Sequence, residues 1–163
     1  MSRRGGVFWA FVIAALVFVV DRGVKALVEG SMRLGESIPL IPGFLSLTYI
    51  KNDGGAFGIL GGSQLVLLLG SAVAIGVVLW ILFSGSSSRL TSLGCGLILG
   101  GAAGNLVDRL AAGEVTDYVH FSFWYIFNAA DAAIVVGVAI LLLSTLRSPE
   151  KGRPVPQDGS SVS

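Results

Sequence analysis

Asp21, Lys25, Asn105, Asn128 and Asp131 interrupt or border long apolar runs, and Arg109 and Asp117 follow one of those runs at short distance. A charged side chain at the centre of a membrane-spanning helix costs roughly 2.5–3.5 kcal/mol on insertion scales. Such residues face a bundle interior or a wet cavity, and they serve ion paths, proton relays or polar ligands. Their spacing suits a shared cavity. Asp21 and Lys25 are four apart and lie on one helix face, as do Gly101, Asn105 and Arg109, while Asn128 and Asp131 are three apart. The chain has a single histidine, His120, and a single cysteine, Cys95. That count argues against a His/Cys metal centre, an intrachain disulfide and a Ser-His-Asp triad, and nothing in the sequence asks for a cofactor.

The elements that must carry these residues are membrane spans. Apolar residues make up 53% of the 163 and charged residues only 13%, with mean hydropathy +0.82. A soluble domain carries about 25% charged residues. Four spans are expected, at about 7–28, 64–83, 90–107 and 126–146, within one membrane-embedded domain covering 1–148. Each is long enough to cross a hydrocarbon core of about 30 Å. Counted from one membrane face at about 1.5 Å per residue, Asp21 lies about 21 Å deep and Asn105 and Asp131 each about 22 Å. Three separate helices thus bring polar groups to one level.

Lysine and arginine in the loops set the orientation. Arg3, Arg4, Arg89, Arg147, Lys151 and Arg153 fall on one side, and Arg33, Lys51 and Arg109 on the other. Both termini are therefore expected in the cytoplasm, with the polar level near the outer face. Arg3 and Arg4 before an apolar run also resemble a cleavable signal peptide, but three further spans and no small-residue cleavage site favour a retained anchor. The long outer loop reads as a small sheet at about 36–57. Ser37–Ile41 and Phe44–Lys51 form two strands around Pro42-Gly43, with a short helix or turn from Gly55 to Leu60. Residues 149–163 read as a polar, disordered cytoplasmic tail. The net charge of +1 gives no surface for nucleic acid.

Each feature also has a plainer reading. The stripe Gly96, Gly100 and Gly104 suits helix packing. Lys25 suits snorkelling to the interface, and Asp21 suits a structural ion pair with Lys25 or Arg22. Asp131 suits the positive end of a helix dipole, and Asp117 a polar surface loop. Phe121, Phe123, Trp124, Tyr125 and Phe127 suit an interfacial aromatic belt.

The motifs in order carry more. Asp21-Arg-Gly-Val-Lys25, Asn52-Asp-Gly54-Gly-Ala56-Phe57, Gly100-Gly-Ala-Ala-Gly104-Asn105-Leu-Val-Asp108-Arg109, Val115-Thr-Asp117-Tyr and Phe127-Asn128-Ala-Ala-Asp131 follow one another with spans between them. Over about residues 7–146 the chain resembles the lipoprotein signal peptidases, the signal peptidase II family of intramembrane aspartyl proteases. That resemblance implies a four-helix inner-membrane fold with a small periplasmic sheet. It implies cleavage of prolipoproteins just before a diacylglyceryl-modified cysteine, and inhibition by globomycin-type cyclic peptides. It makes Asp117 and Asp131 the catalytic pair. Asn52, Gly54, Gly101, Gly104, Asn105, Arg109 and Asn128 would bind substrate or hold the pair, and Asp21 and Lys25 would support the structure around it. Two close carboxylates that share one proton suit peptide hydrolysis without metal.

Two other classes compete. A small transporter or channel subunit also gathers acidic groups at one membrane level, although no internal repeat is present and only four spans are read. A membrane scaffold without chemistry is the third. A monomer surrounded by membrane lipids is the expected state.

Overall fold

The computed structural model describes residues 2–54, 64–84 and 88–146. Four helices within them are long and apolar enough to cross a membrane. They are α1 (Arg3–Ser31), α2 (Gln64–Ser84), α3 (Arg89–Ala112) and α4 (Ala129–Leu146). Strands β1 (Ser37–Ile41) and β2 (Leu45–Asn52) follow α1, and β3 (Val115–Phe121) lies between α3 and α4. The expected turn at Gly55–Leu60 and the expected tail at 149–163 lie outside the described residues.

α3 is the central helix, and its glycines explain why. A methyl group on Gly96 would sit 2.7 Å from the Ala10 carbonyl, and one on Gly100 would sit 2.6 Å from the Ala14 carbonyl. One on Gly94 would meet the Gly137 carbonyl at 2.9 Å. Backbone therefore lies against backbone on both sides of α3, a small-residue device for helix contact where lipid gives no hydrophobic drive. About 61% of the most apolar window of α3 is buried, against 11% in each other span. Phe8, Phe11, Leu16, Trp80, Val135 and Leu142 point outward instead, as suits helices solvated by hydrocarbon.

The helix ends are set by local chemistry. Ser2 accepts from the Gly5 amide at 3.2 Å, and Ser88 accepts from the Thr91 amide at 2.9 Å. Gly113 closes α3 in the left-handed region (φ 81°), its N–H returning to the Arg109 carbonyl.

The sheet is antiparallel in the order β1-β2-β3. The third strand lies between the expected spans 90–107 and 126–146, where the sequence pattern predicts no strand. Lys51 pairs with Thr116 and Asn52 with Val115. Beyond Phe121 the chain turns back, and Phe127 bridges to Val119 through bonds of 3.0 and 2.8 Å. That bridge keeps 126–128 extended, so α4 begins at Ala129, three residues after the expected start of the fourth span. Val28 and Met32 at the end of α1 pack on Tyr49 and Tyr118, which docks the sheet on that helix.

Candidate active site

The polar residues meet where the first turn of α4 touches α3, α1 and the sheet. Helices begin with amides that have no partner in the helix. Here side chains from two other elements, β3 and α1, and from Asn128 supply those partners. The Ala129 amide donates to the Tyr118 hydroxyl at 3.1 Å, and the Ala130 amide donates to Asp21 Oδ1 at 3.1 Å. The Asp131 amide donates to Asn128 Oδ1 at 2.9 Å, and the Asn128 amide returns a bond to Asp131 Oδ2 at 3.3 Å. This is a reciprocal cap, with Asn128 ahead of the helix and Asp131 at its third position.

Asn128 is fully buried and reaches further. Its Nδ2 donates to Asp117 Oδ1 at 2.7 Å and to Asn105 Oδ1 at 3.1 Å. Asn105 Nδ2 in turn donates to Asp131 Oδ1 at 2.7 Å. The other oxygen of Asp117 accepts from Asn52 Nδ2 at 2.8 Å. Asn52 is held by its own bond from the Gly54 amide, also 2.8 Å, and Gly54 has φ 90°. A side chain there would be strained and would collide with Leu67. Asp117, Asn52, Asn128, Asn105 and Asp131 thus form one hydrogen-bonded chain.

Asp117 is only 2% exposed. Burial pushes its carboxyl up to about 6, and the charge of Asp131 adds to the rise. The Asn52 and Asn128 amides and the Lys25 charge oppose it. Asp117 and Asp131 are thus joined through one asparagine, and the first of them is desolvated.

Below this layer lies a buried ionic cluster. Lys25 Nζ sits 2.8 Å from Asp21 and 2.7 Å from Asp108, and donates to Asn105 Oδ1 at 3.0 Å. Two carboxylates and one hydrogen-bonded amide oxygen thus surround the buried ammonium. Arg22 completes the cluster by pairing with Asp108. A methyl on Gly104 would fall on the Asp21 carboxylate, and one on Gly101 on the Ala130 carbonyl. Both glycines therefore let neighbouring helices close on the site.

Arg109 lies a turn beyond Asn105, half-buried, with Nη1 donating to Ser71 of α2 at 3.3 Å. Its charge acts on Asp131, Asp117 and Asp108. A groove of about 380 Å³ between α2, α3 and α4 is lined by Leu67, Ser71, Ala102, Ile134, Asn105 and Arg109. A second groove, also about 380 Å³, sets Asp131 among Trp124, Phe127, Val135 and Val136. Polar groups thus border two apolar channels.

The sequence reading missed Asp108 and Tyr118. Asp108 continues the stripe Gly96, Gly100 and Gly104 at four-residue spacing, so it had to face α1. Tyr118 carries no such signal, because only the fold brings β3 under the first turn of α4.

The comparisons with known proteins agree with this geometry. The family model described as Signal peptidase (SPase) II matches residues 13–147. A lipoprotein signal peptidase of Halothermothrix orenii is 41% identical over 133 residues, 82% of this chain and 92% of that protein. One from Gloeobacter violaceus is 41% identical over 159 residues, covering 96% and 90%. A solved bacterial membrane enzyme superimposes with TM-score 0.78 at 27% identity, covering 85% of this chain and 93% of its own. Sequence and fold point the same way across the helices that carry the polar chain, and this protein belongs to the signal peptidase II family of membrane proteases.

Proposed function

We propose that the chain removes signal peptides from prolipoproteins by cutting just before a diacylglyceryl-modified cysteine, with Asp117 and Asp131 as the catalytic pair. The observation that carries this reading is Asn128, which bonds to Asp117 through its side chain and to Asp131 through both side chain and backbone. Family membership disfavours the transporter and scaffold readings.

The ionised member of the pair takes a proton from water. The protonated member donates to the scissile carbonyl oxygen as it becomes tetrahedral. The oxygen then needs donors, and the half-buried Arg109 and the Asn105 amide are placed beside a groove able to take part of the substrate. The apolar groove at Asp131 and the one at Asn105 and Arg109 suit the signal helix and the acyl chains. Lys25 and Asp21 keep Asn105 and the first turn of α4 in place. Asn52 and Gly54 hold the outer carboxylate.

The enzyme sits in the bacterial cytoplasmic membrane with both termini inside, which puts the pair near the outer face where the cleavage point of the substrate emerges. It works as a monomer, without metal or cofactor, and globomycin-type cyclic peptides occupy the same grooves. The decisive experiment is incubation of the purified protein with lipidated and unlipidated prolipoprotein, followed by a gel shift. The lipidated form is cut, and Asp117→Asn and Asp131→Asn each nearly abolish cutting while insertion is kept. Equal cleavage of both precursors would remove lipid from the recognised ligand, and substantial activity in either variant would remove the pair.

A further inference from the structure

Behind the sheet, on the side away from the carboxylate pair, three side chains from three elements meet. Lys51 Nζ of β2 lies 2.7 Å from Glu29 Oε1 near the end of α1, and donates to Thr116 Oγ1 of β3 at 2.9 Å. The Thr116 hydroxyl donates to the same Glu29 oxygen, so the triangle is closed. Each strand member sits one residue before a member of the polar chain: Lys51 before Asn52, and Thr116 before Asp117. Lys51 and Thr116 are also register partners. Successive strand residues point to opposite faces. One cross-strand pair is thus tied to α1, and the residue after each member lies on the opposite face, where Asn52 donates diagonally to Asp117 and Asp117 accepts from Asn128.

We propose that Lys51 is a positioning residue for cleavage, fixing β2 and β3 to α1 through Glu29 and Thr116 so that Asp117 meets Asn128 in register. The proposal rests on Asp117 being catalytic. Glu29 and Lys51 are partly exposed, at 37% and 23%, while Thr116 is 1% exposed. A partly exposed pair contributes little to global stability, so its loss leaves the bundle folded. The same modest energy is enough to choose between nearby settings of a small sheet that otherwise rests on α1 through Val28, Met32, Tyr49 and Tyr118. The charges named as acting on Asp117 are those of Asp131, Lys25 and Arg109, none of them in the triangle, so the role assigned to Lys51 is one of placement.

The test uses the full chain in detergent with lipidated prolipoprotein as substrate. Lys51→Met and Glu29→Gln each lower kcat roughly fivefold to thirtyfold, the range of a one- to two-kcal/mol bias, with little change in KM. Their double variant is no worse than either single, because the two act as a unit. The exchange Glu29→Lys with Lys51→Glu restores most of kcat, because the Thr116 hydroxyl both donates and accepts. Unchanged kcat in Lys51→Met and Glu29→Gln overturns the proposal, as does a loss that the exchange fails to recover. Asp117→Asn runs alongside: if it stays active the catalytic reading fails, whereas an inactive Asp117→Asn beside fully active Lys51→Met and Glu29→Gln removes the positioning role alone.

Discussion

Asn128 and Asp131 cap one another: Asn128 Oδ1 accepts the Asp131 amide at 2.9 Å, and the Asn128 amide donates to the Asp131 carboxylate at 3.3 Å. A helix cap has thereby become part of the polar chain, because the Asn128 side-chain amide is left to bind Asp117.

Asn128→Ala separates these two roles. Losing the cap costs about 1 kcal/mol of stability. Losing the link to both carboxylates costs far more in turnover, roughly a hundredfold, the scale of a misplacement near 1 Å. Thermal unfolding in detergent and initial cleavage rates measure the two effects. Losses of similar size in free-energy terms would reduce Asn128 to a cap.

Two glycines make a matched pair for packing. A methyl at Gly101 would fall on the Ala130 backbone carbonyl, in the first turn of α4, whereas nothing lies within 4 Å of one at Gly23. Gly23→Ala is expected to be neutral or to stabilise α1 by up to about 1 kcal/mol, from helix propensity. Gly101→Ala is expected to destabilise by about 1–3 kcal/mol and to lower activity, since the helix turn carrying Asp131 must move. Activity and melting temperature of both variants check this, and a fully active Gly101→Ala would show that α4 tolerates the shift.

The four spans and the polar level were legible in the sequence, because length and composition dictate what can cross a bilayer. The face shared by Gly101, Asn105 and Arg109 was legible from spacing alone: Gly101 meets α4, and the other two line the α2–α3–α4 groove. β3 was not. Val115–Phe121 mixes Asp117 and His120 into a short stretch after a helix, and its partner β2 lies more than sixty residues earlier, so only tertiary pairing makes it a strand. The burial of Asp117 followed from that strand, and the plainer reading of Asp117 as a surface residue gave way with it.

Lys25 is fully buried between Asp21 and Asp108. Removing one member of a buried ionic cluster leaves the others uncompensated, at about 3–5 kcal/mol. Lys25→Met is therefore expected to lower yield and melting temperature sharply as well as activity. Arg22→Met, whose side chain is 37% exposed, is expected to cost much less. Comparable melting temperatures for the two variants would show that the cluster is wetter than its burial implies.

Asp117 is expected to make stability and, on the proposed mechanism, activity depend on pH in a defined window. Its carboxyl is pushed up to about 6 from an ordinary value of 3.8, chiefly by burial. A raised carboxyl pKa means the folded state holds the proton more tightly than the unfolded chain, so stability falls as pH rises between these two values. The group contributes a fall of about 3 kcal/mol at most across that window, and nothing further above it. Asp117→Asn cannot titrate, so its stability profile should lack this part of the slope. On the proposed mechanism the pair must keep one proton, and kcat/KM reports the free enzyme. Its alkaline limb should then have a midpoint near pH 6, and the limb of kcat should lie higher, because bound substrate excludes water from the pair and raises it again. The measurements are melting temperature against pH for the wild type and Asp117→Asn, and initial rates across the same range. Parallel stability profiles for the two proteins would mean that Asp117 is hydrated in the folded state, and a pH-independent kcat/KM through this window would mean that no shared proton governs the reaction.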